Sequence, residues 1–199
     1  MLFSDPNVSS FIRENFVAAW QSVRPVPTVE IDFGNGTKIK RTVNGNIATY
    51  ICDPTGRVID VIPGLNTPEA YLQELQAALR LYRSSLANFD ETVRRYHVAP
   101  PVRVLVMKKN PADIGKMIVE RPVKKAVLSP EAEAEALAAD TEFNRSERKP
   151  VIHKILAEKV VRPSEITLRI YKEALHCDLE DPYLGLVSKA FNGGAYENR

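Results

Sequence analysis

The chain has 199 residues, 44% of them hydrophobic and 26% charged, with 27 basic against 25 acidic side chains and a formal charge of +2. That composition belongs to a chain that folds around a core, and its near-neutral balance supplies no overall field that would attract nucleic acid. No stretch approaches the roughly 18 to 20 consecutive apolar residues of a bilayer-spanning helix, so no membrane span is expected.

The N-terminus, Met1-Leu2-Phe3-Ser4-Asp5-Pro6, lacks the basic start and apolar run of a secretory signal. The chain as given therefore reads as cytoplasmic, with export the alternative if it is a processed or trimmed form. Ser4-Asp5-Pro6 is a helix start, an N-capping oxygen ahead of a proline suited to the first turn, and Val8, Phe11, Ile12 and Phe16 follow at helical spacing. The apolar run from Phe16 to Trp20, closed by Pro25 and Pro27, predicts a strand over Phe16 to Val23. Val29, Ile31 and Phe33 alternate with acids, Gly34-Asn35-Gly36 supplies turn residues, and Lys38 to Val43 alternates again, which predicts a β-hairpin. A second hairpin is predicted from Ile47 to Cys52 and Val58 to Ile62, joined by the turn residues Asp53-Pro54-Thr55-Gly56-Arg57. Thr67-Pro68-Glu69 then opens a helix whose apolar positions are Tyr71, Leu72, Leu75, Leu79 and Tyr82.

Beyond about Val93 the pattern weakens. Val102 to Met107 reads as one more strand, inside a connector that carries Lys108, Lys109, Arg121, Lys124 and Lys125. Ser129-Pro130-Glu131 starts an acidic, alanine-rich helix to about Phe143, and Pro150 is expected to separate it from a helix near Ile152 to Val161. Pro163-Ser164 opens the last helix, with Ile166, Ile170, Ala174 and Leu175 on its apolar side, and Gly193 to Arg199 reads as a frayed end.

The words FSDPNVSSFIRENFV and NGNIATYICDPTGRVIDVIPGLNTPEAYLQEL, in the order helix, strand, hairpin, turn and capped helix, resemble the thioredoxin-like superfamily over about residues 3 to 80. The resemblance implies an α/β fold, a central mixed sheet with flanking helices, here as an incomplete domain at 1–95 followed by a mainly helical extension at 96–199. It also implies a CxxC just upstream of the first helix and a cis-proline before the third strand. The chain starts where the CxxC would precede it, and Ala48 stands at the proline position, where a cis bond would cost about 2.5 to 4 kcal/mol.

Cys52 lies in an apolar alternating run and is expected to be buried and slow to react, with neighbouring Asp53 raising its pKa. Cys177, near a helix end, is expected to react sooner. His176-Cys177-Asp178 with His153 are the conventional metal donors, but no CxxC or HxxxH spacing joins them, so no metal site is assigned, and His176 is read as complementing a helix C-terminus. The connector 102–127 contains no aromatic residue for base stacking, and the glycines open no phosphate loop, so no nucleic acid and no cofactor are assigned. His97 belongs to no nucleophile motif.

Leu179 to Leu186 combines acids, a proline stop and apolar residues. Asp181, Pro182, Tyr183, Leu184 and Leu186 are its docking candidates, against the plainer reading of a tail folded back on the core. The expected function is a non-catalytic thioredoxin-like binding or scaffolding protein whose partner is another protein or a second copy. The alternatives are a thiol-disulfide oxidoreductase with its CxxC upstream of Met1 in the native gene, or a protein using Cys52 or Cys177 as a lone redox thiol. A sheet left without its first strand has an open edge, and the C-terminal half or another molecule is expected to cover it, with Asp181 to Leu186 as the candidate cover.

Overall fold

Asp5 caps helix α1 (Pro6–Asn15), its carboxylate accepting from the Asn7 and Val8 amides at 2.9 and 3.0 Å, so the expected start holds. The computed structural model describes residues 2–25, 28–32, 34–36, 38–42, 47–98 and 130–182. The proposed strand Val102 to Met107, the basic connector, Tyr183, Leu184, Leu186 and the end from Gly193 lie outside them.

Both predicted hairpins are present as antiparallel pairs: β1 (Thr28–Asp32) with β2 (Lys38–Thr42), and β3 (Ala48–Cys52) with β4 (Val58–Pro63). Each pair is its own two-stranded sheet, so among the described residues pairing stops at two hairpins where a central mixed sheet was expected. Helix α2 (Pro68–Ser85) starts on the Thr67 cap and buries Tyr71, Leu75, Ala78 and Leu81. Helix α3 (Phe89–Val98) follows, then α4 (Pro130–Phe143), α5 (Lys149–Glu158) and α6 (Pro163–Arg169). The described chain is mixed α/β and mostly helical.

Strand β4 is the centre of the packing, since all six of its residues are buried. One cluster joins Val58 and Val61 to Ile152, Ile155 and Leu156 of α5 and to Ile166, Ile170 and Leu175 at the C-terminal end. A second joins Ile59 and Ile62, with Ile51, to Val8, Tyr71, Leu75 and Val93 of the first three helices. Strict alternation would not divide β4 this way. The register does it: Cys52 faces Val58 while Ile51 faces Asp60, so Ile59 is an extra residue that shifts the phase of the strand. The residues after 130 thus cover one side of the hairpin and α1 to α3 the other.

Three sequence expectations need correction. The run Phe16 to Val23 forms no strand: Phe16 rests beside Phe11, ring centroids 6.1 Å apart, and Val17 to Val23 then run exposed without regular structure. A strand needs a neighbour to pair with, and none lies alongside this run among the described residues. Pro150 does not separate two helices. Asn144–Arg148 form a π turn, with the Lys149 amide bonded five residues back to the Asn144 carbonyl, and the widened turn lets α4 continue into α5 past the proline. Where the pattern was read as weakening, the chain forms α3, which spans the boundary placed at residue 95.

Candidate functional site

Among the described residues strand β4 pairs with β3 alone, and its other edge meets helices α3 and α5. The backbone groups there are satisfied one by one. The Val58 amide donates to the Val161 carbonyl at 2.8 Å, and the Val61 amide to the Asp60 carboxylate at 2.7 Å. His97 Nε2 donates to the Ile59 carbonyl at 2.8 Å, and Lys149 Nζ to the Val61 carbonyl at 3.2 Å. Among the described residues this is the cover that an open edge requires, assembled from three side chains and the Val161 carbonyl rather than from a strand. Asp181 and Pro182, the described part of the expected cover, do not supply these bonds.

Behind this edge lies an ionic triad in which Asp60 and Lys149 are buried and Glu74 is partly exposed. Lys149 Nζ sits 2.8 Å from Asp60 Oδ2 and 2.7 Å from Glu74 Oε2, and Asp60 is 0% exposed. Burial alone would lower the Lys149 pKa, but the two carboxylates outweigh it and push it up. Burial would likewise raise Asp60, and Lys149 together with His97 and His153 outweighs it and holds the carboxyl below the usual range.

Next to the triad, His97 Nδ1 and His153 Nδ1 are 2.7 Å apart, with Tyr96 set edge-on to His97 at 5.1 Å between ring centroids. A carbonyl only accepts, so the bond to Ile59 fixes the proton of His97 on Nε2. In the neutral pair His97 Nδ1 is then the acceptor and His153 Nδ1 the donor. Burial pushes both imidazole pKa values down, that of His153 to about 4 with partial opposition from Asp60. The sequence reading had named His153 beside His176-Cys177-Asp178 as conventional metal donors without assigning a site, and had left His97 outside any motif. The structure pairs His153 with His97, and no group of three or more metal-type donors is found among the described residues.

The second distinctive region is the exposed run after α1. Trp20 is 89% exposed, and Val17 and Val23 also face solvent. The run ends at Arg24, whose guanidinium donates to three carbonyls of the C-terminal segment: Leu179 at 3.2 Å, Asp181 at 2.5 Å and Pro182 at 2.8 Å. Leu179 itself packs against the α5 and α6 cluster. Two of the docking candidates, Asp181 and Pro182, are therefore tied beside the apolar run, which the sequence reading had placed in a strand.

The thiols are arranged in the opposite order to expectation. Cys177 is 3% exposed, inside the cluster of α5 and α6, while Cys52 is half-buried at its margin. The chain reverses past its last helical turn, a second π turn at Ile170–Ala174: the Cys177 amide reaches back to the Tyr171 carbonyl at 2.8 Å, which carries Cys177 inward. Burial first, and then Asp53, push the Cys52 thiol up, as the neighbouring acid led us to expect. His176 lies just past the helix end as predicted and adopts φ 54°, the left-handed conformation that lets the chain reverse. The peptide bond at Ala48 is trans.

The described surface has a small cavity of about 10 Å³, room for one water, where Ile62, Pro63 and Ala70 meet polar residues that include Asn66, Glu74 and Lys149. No described helix is long and apolar enough to cross a membrane. No family model, no curated protein and no solved structure matches the chain.

Proposed function

We propose that the chain is a non-catalytic binding or scaffolding module that engages a protein partner, or a second copy of itself, through the exposed run from Val17 to Val23. The observation that carries this reading is the placement of Trp20, Val17 and Val23 in solvent on a segment held at both ends, by Phe16 packing at one and by Arg24 at the other. A large aromatic in water beside further apolar side chains is the usual character of a contact surface. Asp181 and Pro182 adjoin it through Arg24 and belong to the same surface. The order of α1, the two hairpins and the Thr67-capped α2 supports a thioredoxin-like frame. The raised pKa of Cys52 and the burial of Cys177 support a role without thiol chemistry.

Trp20 is the only tryptophan, so its fluorescence reports on this surface alone. The emission is expected to shift to the blue as concentration rises in step with self-association in sedimentation, or on adding an isolated partner. Val17→Ser with Trp20→Ser is expected to abolish association while leaving the melting midpoint in place. Association that survives the double substitution would place the contact elsewhere and overturn the reading.

A further inference from the structure

The seam between α3 and α5 is held by a contact that tolerates only certain proton counts. We propose that this seam is an acid-operated latch, in which protonation of the His97–His153 pair parts the two helices and uncovers the outer edge of β4. The geometry fixes the order of events. With His97 Nε2 bonded to the Ile59 carbonyl and one proton between the two Nδ1 atoms, the bare nitrogen of the neutral pair is His153 Nε2. A first added proton goes there and leaves the Nδ1 contact intact. A second must go to His97 Nδ1, and two N–H groups then face each other across 2.7 Å. The pair cannot persist in that state.

The charged and titratable groups that act on the pair are Asp60 from β4 and Lys149 from α5, with Tyr96 of α3 beside the rings and Glu74 and Arg80 of α2 acting on Tyr96 behind them. Asp60, Glu74 and Lys149 together carry one net negative charge, which accommodates the first proton but not the clash made by the second. Opening would also release the Ile59 carbonyl that His97 satisfies.

Both imidazoles titrate below their ordinary value when the seam is closed and near about 6.5 when it is open. The open form therefore binds more protons, and the closed form keeps its full advantage above about pH 6.5 and loses it as pH falls toward about 4. Uptake of two protons makes opening steeper by up to about 100-fold per pH unit, and uptake of one by about 10-fold.

Hydrogen exchange of the full chain, read by mass spectrometry and corrected for intrinsic rates, tests this at about pH 7.5, 6 and 5, a range that brackets the free imidazole value. Peptides from α3 and α5 are expected to gain at least about tenfold in exchange from the highest to the lowest pH, while α1 stays protected. His153→Asn keeps a donor for His97 Nδ1 and removes one titrating ring, so its dependence should be shallower by about 10-fold per pH unit. Equal acceleration of α1 and α3 in the unaltered chain would mean global acid unfolding and would overturn the latch. A His153→Asn profile parallel to that of the unaltered chain would do the same.

Discussion

Two apolar runs, Phe16 to Val23 and Val58 to Ile62, read alike as strands, yet the first lies in solvent from Val17 onward and the second is buried along its whole length. Hydrophobicity does not separate them. Strand β4 has β3 across a tight turn on one edge, helices on both faces, and His97, Lys149 and Val161 on the edge that no described strand occupies. The earlier run has only Arg24 at its end, whose guanidinium donates to the Leu179, Asp181 and Pro182 carbonyls, and no described strand lies beside it. An apolar segment becomes a strand when its backbone groups as well as its side chains find partners.

If polar sealing is what holds β4, the largest effect should come from Lys149. Lys149→Met leaves Asp60 buried without its cation and is expected to cost about 3 to 5 kcal/mol in urea unfolding. Adding Asp60→Asn should recover much of that loss. A cost below about 1 kcal/mol for the single change, the scale of an exposed ion pair, would show that the edge does not depend on the triad.

A smaller but still large effect is expected where β4 ends. Gly64 has φ +62°, and a Cβ there would lie 2.7 Å from both Asn144 Oδ1 and Arg148 Nη1. Asn144 is buried and donates to the Leu65 carbonyl at 2.6 Å, so it has little freedom to move. Gly64→Ala should cost about 1 to 2 kcal/mol from the left-handed backbone alone, with the clash adding to it. A thermal melt unchanged by the substitution would mean that the π turn does not hold this loop. The smallest effect belongs to the exposed run: Trp20→Ser should change stability by no more than about 0.5 kcal/mol, and a larger loss would show that the run is packed after all.

Local chemistry was legible where a residue type answers a local need. Asp5, Thr67 and the turn from Asp53 to Arg57 announced their helices and hairpin, and in that turn the Asp53 carboxylate accepts from Thr55 and Arg57 amides at 2.9 and 2.8 Å. Ile166, Ile170, Ala174 and Leu175 were readable as one face because helical spacing alone places them together. The seam was not readable. Asp60 and Lys149 are 89 residues apart, His97 and His153 are 56 apart, and each looks like an ordinary charged or polar residue within its own segment. Cys52 and Cys177 were ordered by neighbours in sequence, whereas the chain reversal at His176 decides which thiol is inside. Pro150 was read by its usual effect, and the π turn that accommodates it has no sequence mark that we could identify.

The long chain separations across the outer edge of β4 bear on how the molecule folds in time. The hairpin of β3 and β4 closes over a turn of a few residues, and α2 follows it directly. The contacts of Lys149 with Asp60 join segments 89 residues apart and carry the larger loop-closure entropy. A contact of that kind forms late, after the hairpin and α2 are in place. Weakening it then speeds unfolding while leaving refolding nearly unchanged. The lifetime of the native state, more than the speed of reaching it, rests on the polar seal that takes the place of a neighbouring strand.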